Sequence, residues 1–116
     1  MSWNKLDALM KKLEALEHAT SILGADEATH MPKGGGPKRA QAMGELAGLA
    51  HASATAPEVG DWIQEALHWA TSNDQRAALR ELKREYDGRT CLPTAFVAKK
   101  TEANLKSEQL WRELRP

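Results

Sequence analysis

Four histidines, one cysteine and sixteen carboxylates are the side chains in this 116-residue chain that could ligate a metal. A zinc site needs three or four such groups converging at bonding distance. The histidines are His18, His30, His51 and His68; none is followed directly by Glu and no two are four residues apart. The His-Glu-x-x-His helix motif of zinc peptidases is therefore absent. Glu14 and His18 are one helical turn apart, but two ligands do not complete a site, and the pair reads as a solvated i,i+4 contact. Cys91 stands two residues from Arg89, whose charge would favour a thiolate, yet no histidine lies near it to act as base. It reads as a buried or half-buried bystander thiol. His51 and Ser53 are two residues apart and point to different faces of a helix, with no third group to complete a triad. No catalytic, cofactor-binding or metal-ligating residue is assigned.

Gly34-Gly35-Gly36-Pro37-Lys38-Arg39 is a glycine-rich segment feeding a helix with two cations in its first turn. Amide groups at a helix start attract anions. The spacing is not that of a nucleotide-binding loop, and no strand precedes it. It reads as a tight reversal of direction, with phosphate or carboxylate binding as the alternative. Trp3, Trp62, Trp69 and Trp111 are read as core residues, with an exposed contact surface as the alternative, and Trp62 and Trp69 are seven apart on one helical edge. Arg76, Arg80, Lys83 and Arg84 cluster, but Glu81, Glu85 and Asp87 are interleaved, so a solvated face is expected rather than a nucleic-acid site. Sixteen basic and sixteen acidic residues cancel. No global field then draws the chain to nucleic acid or to an anionic membrane.

The elements that position these residues are helical. Ala and Leu dominate, no strand alternation is visible, and there is no internal repeat. The spacing predicts a first helix over Trp3–Leu23, with Leu6, Leu9, Leu13, Leu16, Thr20 and Leu23 on one stripe and Gly24 as its left-handed stop. Residues 24–36 form a connection. Pro37 suits the first turn of a second helix, with Met43, Leu46, Leu49 and Ala50 on one side and enough alanine for a neighbour to approach closely. Thr55-Ala-Pro-Glu58 and Ser72-Asn-Asp-Gln75 read as capping boxes opening the third and fourth helices. Val59, Trp62, Ile63, Ala66, Leu67 and Ala70 make the third helix's stripe, and Gly88 is expected to stop the fourth. Pro93 can start a fifth, with Phe96, Ala103, Leu110 and Leu114 on one side. The fold class is all-α, a single domain of about five helices joined by short turns. The N-terminus shows no basic stub followed by an apolar run, and the single cysteine suits a reducing compartment, so a cytoplasmic setting is expected.

The stretch Asp26-Glu-Ala-Thr-His-Met-Pro-Lys-Gly-Gly-Gly36 resembles the Trp-Asp-x-x-Thr-x-Met-Pro-x-Gly-Gly signature near the N-terminus of the carboxypeptidase Taq family of zinc metallocarboxypeptidases. Leu16–Leu23, Leu46–His51, Pro57–Gly60, Arg84–Asp87, Leu92-Pro93 and Trp111–Glu113 look like successive later elements of that family, in order. One departure is clear: Ala25 stands where the signature has tryptophan. The resemblance implies a mostly helical enzyme that removes C-terminal residues from peptides with a zinc-activated water, its N-terminal helices helping to cover a deep channel. The family's zinc ligands and catalytic Glu have no counterparts here, so zinc belongs to the parent family and no cofactor is expected in this chain. Asp26, Thr29, Met31, Pro32, Gly34 and Gly35 match as structural signature positions. The expectation is a non-catalytic N-terminal helical domain of, or related to, such an enzyme, partnered by the remainder of a larger enzyme or by itself. The alternative is a stand-alone helical interaction or oligomerisation module.

Overall fold

A computed structural model describes residues 1–116. Five helices follow one another: α1 (Ser2–Thr29), α2 (Gly36–Ala54), α3 (Pro57–Trp69), α4 (Asn73–Thr90) and α5 (Thr94–Leu114). A single 3-10 turn, Lys33–Gly35, precedes α2, and there is no strand. The all-α expectation holds, but the helices make an elongated body of 56 × 24 × 22 Å.

Two helices run past the glycines expected to stop them. α1 continues through Gly24 to Thr29, and α4 through Gly88 to Thr90. No glycine adopts a positive φ. An interior glycine costs about 1 kcal/mol relative to alanine, and in α1 the added turn is held by a buried ion pair of Glu27. What ends these helices is proline, which disfavours a helical residue before it. Pro32 follows α1, Pro57 follows α2, and Pro93 follows α4. The capping boxes fare differently. Ser72 Oγ accepts from the Gln75 amide at 3.1 Å, as expected for an N-cap. Gln75 Oε1, however, accepts from the Thr71 amide and hydroxyl instead of reaching back to Ser72. Thr55 caps nothing: its hydroxyl donates to the His51 carbonyl at 2.7 Å, and Ala56 occupies the cap position of α3. Proline at the start of α3 needs no amide partner, so the side-chain cap is dispensable.

The core is divided. Leu6, Val59, Ile63, Ala66 and Leu79 join the start of α1 to α3 and α4. Ala40, Met43 and Leu105 join α2 to α5, with Leu23 of α1 packed beside them. α1 therefore spans both clusters, and its expected stripe does face inward, half-buried over most of its length. α2 and α5 make the most extensive helix contact. The close approach expected of α2 comes from Ala40, Gly44 and Gly48, four residues apart on one ridge. A Cβ on Gly44 would stand 2.9 Å from the Ala98 carbonyl oxygen, and one on Gly48 would stand 3.3 Å from the Ala98 Cβ.

Three apolar assignments need correction. Leu49 is exposed, because the inward face of α2 is the small-residue ridge and Met43. Phe96, Ala103, Leu110 and Leu114 share a face of α5, but that face is exposed. α5 packs instead through Ala98, Leu105 and Gln109, whose small or flexible side chains fit the ridge of α2. Of the tryptophans, Trp62 is half-buried against the first cluster, whereas Trp3, Trp69 and Trp111 are exposed. Trp69 is the last residue of α3 and is 72% exposed, so its seven-residue spacing from Trp62 does not bring it into the core.

Candidate functional site

The corner between α1 and α2 holds all six signature residues, and backbone hydrogen bonds shape it first. The Asp26 carbonyl accepts from the His30 and Met31 amides at 2.8 and 2.9 Å, closing α1. The Thr29 hydroxyl donates to the Ala25 carbonyl at 2.6 Å and lies 2.9 Å from His30 Nδ1. The Pro32 carbonyl accepts from the Gly35 amide at 2.9 Å, forming the 3-10 turn. Met31 lies over that turn, and a Cβ on Gly35 would come within 3.1 Å of its Cγ. Gly34 has nothing within 4 Å of such an atom, so of the two signature glycines only Gly35 is crowded, and a side chain there would have to displace Met31. Ala25 is exposed.

Side chains from elsewhere fasten the corner. Arg39 Nη2 donates to Asp26 Oδ2 at 2.7 Å, and its Nη1 donates to the Leu23 carbonyl at 2.7 Å. The guanidinium is thus turned back onto α1 and is not presented to an anion at the start of α2. Glu27, its side chain 3% exposed, accepts from Arg112 Nη1 of α5 at 2.7 Å. Gln109 Nε2 donates to the Gly36 carbonyl at 3.1 Å, and a Cβ on Gly36 would meet Gln109 Oε1 at 2.7 Å. An open depression of about 900 Å³ lies against this corner, with Lys33, Lys106 and Glu113 at its edge. Lys106 is paired with Glu102 at 2.7 Å. The arrangement grips helices; it does not converge donors on a point. The pairings of Glu27, Arg39, Gln109 and Arg112 escaped the sequence reading because they join positions 13 to 85 residues apart, and no local pattern marks them.

The other candidates separate in space. His51 is buried: Nε2 lies 2.9 Å from the Arg89 carbonyl and Nδ1 2.7 Å from the Thr94 hydroxyl. The carbonyl can only accept, so Nε2 carries a proton, and the Thr94 hydroxyl, which can donate or accept, partners Nδ1. Both ring nitrogens are occupied in tying α2 to the end of α4 and the start of α5. Cys91 is exposed, contrary to expectation, with Sγ 3.3 Å from the Asp87 carbonyl; the helix of α4 ends just before it and leaves it on the surface. Glu14 and His18 are both exposed, as read, and make no ion pair. Lys11 instead pairs with Asp7 at 2.9 Å, and that hydrogen bond and charge raise its pKa above the ordinary lysine value. On α4 the interleaved charges do form a solvated face. Lys83 pairs with Asp87 at 2.7 Å, and Glu81 with Arg84. The hydrogen bond from Arg84 holds the Glu81 carboxyl below the usual glutamate range.

No three His, Cys, Asp or Glu side chains lie close enough together to hold a metal ion. The residues present do not fit a zinc site, and no buried side-chain polar atom lacks a partner. No helix is long and apolar enough to cross a membrane.

A sequence profile described as carboxypeptidase Taq (M32) metallopeptidase matches residues 5–116. Thermostable carboxypeptidase 1 of Thermus thermophilus is 30% identical over 95 residues, covering 78% of this chain and 19% of that protein. Thermostable carboxypeptidase 1 of Pyrococcus furiosus is 30% identical over 107 residues, covering 91% of this chain and 21% of that protein. The chain thus spans about a fifth of the length of these relatives. No solved structure matches it.

Proposed function

Because the chain belongs to the carboxypeptidase Taq (M32) metallopeptidase family, we propose that these residues form its non-catalytic N-terminal helical domain, whose role is to shape and dock. The carrying observation is the α1–α2 corner. Its signature aspartate is committed to Arg39, and the neighbouring Glu27 to Arg112, so a signature residue and its neighbour serve as fasteners. Zinc chemistry would then reside in parts of the enzyme outside these residues, consistent with a match to about a fifth of the relatives. The test is direct. The purified chain, supplied with zinc and peptides bearing free C-termini, is expected to release no C-terminal residue. Zinc-dependent release, abolished by chelation, would overturn the proposal. A cytoplasmic setting fits a chain with one free, exposed cysteine.

A second reading, an interaction or oligomerisation module, is favoured by the exposed face of α5. Leu110, Trp111 and Leu114 are 54%, 60% and 74% exposed. A contiguous apolar stripe of this kind marks a surface that another body covers.

A further inference from the structure

The four tryptophans fall into two pairs. Trp62 and Trp111 each have a cation of the chain over the ring: Lys5 Nζ lies 5.7 Å from the Trp62 centroid, and the Arg115 guanidinium 5.2 Å from that of Trp111. Trp3 and Trp69 have no such cation. Both instead stand on the wall of one open cavity of about 430 Å³, between the first turn of α1, the end of α3 and the start of α4. Ala66 and Leu79, both buried, form its floor. Trp69 is braced by His68, with ring centroids 5.0 Å apart and planes nearly perpendicular. A cavity of this volume is in the range of small-molecule sites.

The polar lining is sparse. Gln75 Oε1 is already engaged by the Thr71 amide and hydroxyl. Ser2 is buried and offers one hydroxyl. Glu65 supplies the single side-chain charge. No cation of the chain comes within ion-pair distance of its carboxylate, the N-terminal ammonium of Met1 on the same wall included.

We propose that this cavity binds a small quaternary ammonium solute, a choline-like trimethylammonium group held against Trp3 and Trp69 with Glu65 as its counter-charge. Three observations select this chemistry. Indole faces attract cations more strongly than any other side-chain ring, and these two rings lack one. The unpaired Glu65 sets the sign of the ligand's charge. The scarcity of acceptors sets its kind. A primary ammonium or a guanidinium would bring about three to five N–H donors against a wall that can accept few of them, and a donor buried without a partner is costly. A quaternary ammonium has no N–H to satisfy, and its methyl groups gain from contact with Ala66 and Leu79. Both rings and the carboxylate face solvent, so screening keeps the affinity in the millimolar range. The site is independent of whether the chain hydrolyses peptides, and it uses no residue of the α1–α2 corner.

Choline is titrated into the full chain at constant ionic strength while the four indole N–H resonances are followed by NMR. The Trp3 and Trp69 resonances are expected to shift together and saturate, with Trp62 and Trp111 left in place. The uncharged isostere, in which a tert-butyl group replaces the trimethylammonium group, should bind about tenfold more weakly. Trp69→Ala removes a largely exposed ring and should leave the helical circular dichroism unchanged. It is expected to weaken the choline response at Trp3 by about tenfold. Glu65→Gln, also at an exposed position, should weaken binding a few-fold and narrow the preference for choline over the alcohol. No saturable shift at Trp3 and Trp69 up to hundreds of millimolar choline, equal movement of all four resonances, equal binding of the uncharged isostere, or undiminished binding by Trp69→Ala would each overturn the site.

Discussion

Arg112 and Glu27 show how a single contact decides whether the corner holds. Glu27 is almost wholly buried and its carboxylate has Arg112 as its ion-pair partner, so deleting the guanidinium strands a charge away from water. Arg112→Met is expected to destabilise the chain by about 1.5–3 kcal/mol, the range for a hydrogen bond to a charged group. Glu27→Gln should cost less, because the amide oxygen still accepts from Arg112. Denaturant unfolding of both variants checks the order, and equal losses would mean that the charge is irrelevant. The exposed pair on α4 behaves differently. Glu81 is held below the ordinary glutamate pKa chiefly by its hydrogen bond from Arg84. A carboxyl depressed in the folded state contributes stability above its unfolded pKa and loses it as pH falls through the folded value. The window is therefore acidic, below the ordinary glutamate range, and the contribution is small because solvent and salt screen it. Arg84→Gln should move the Glu81 titration upward in an NMR pH series, with only a slight loss of stability near neutral pH. A titration that stays put would assign the shift to another cause. At this scale the sequence was legible where the interaction is local, as with Ser72 capping Gln75, and silent where it is not. The candidate site shows both: its six signature residues read off one short stretch, but the partners that give Asp26 and Glu27 their roles do not.

Helix number, order and the inward face of α1 and α3 follow from apolar periodicity, and the structure has them. Helix ends and the face of α5 do not follow, for two physical reasons. A glycine is only weakly helix-breaking, so contacts made beyond it win, as at Gly24; at Gly88 the following Pro93 sets the limit. An apolar stripe shows that something covers a helix, but not that the cover lies in the same chain, and α5 uses its small-residue face internally. These glycines can be ranked. Gly44 sits where a Cβ would strike the Ala98 carbonyl, a backbone atom that cannot rotate away, so Gly44→Ala must push α2 and α5 apart. Overpacking of this kind costs about 1–3 kcal/mol. Gly88 has open space around it within α4, so Gly88→Ala should stabilise by roughly 0.5–1 kcal/mol through helix propensity alone. Thermal unfolding of the two variants should move in opposite directions. A shared direction would show that the helix contact at Gly44 is loose or that Gly88 is needed for a bend.

On the scale of the whole molecule the chain has two small cores on one long helix. The cluster of Leu6, Val59, Ile63, Ala66 and Leu79 shares no buried residue with that of Ala40, Met43 and Leu105. α1 connects them covalently, and His51 connects them by hydrogen bonds at the junction of α2, α4 and α5. Stability need not be uniform in such a body, since regions with few buried apolar contacts open at lower free energy than the rest. The second cluster is the smaller, and Leu105 is the one buried large side chain that α5 contributes to it. Leu105→Ala is expected to cost about 2–3 kcal/mol, the low end for a buried leucine, because the cavity lies near the surface and can partly close. That loss should concentrate in the α2–α5 half. Hydrogen exchange of the variant, measured below any self-association, should show faster exchange in α2 and α5 with α3 and the start of α4 nearly unchanged. Equal acceleration throughout all five helices would mean that α1 and His51 couple the cores into a single cooperative unit.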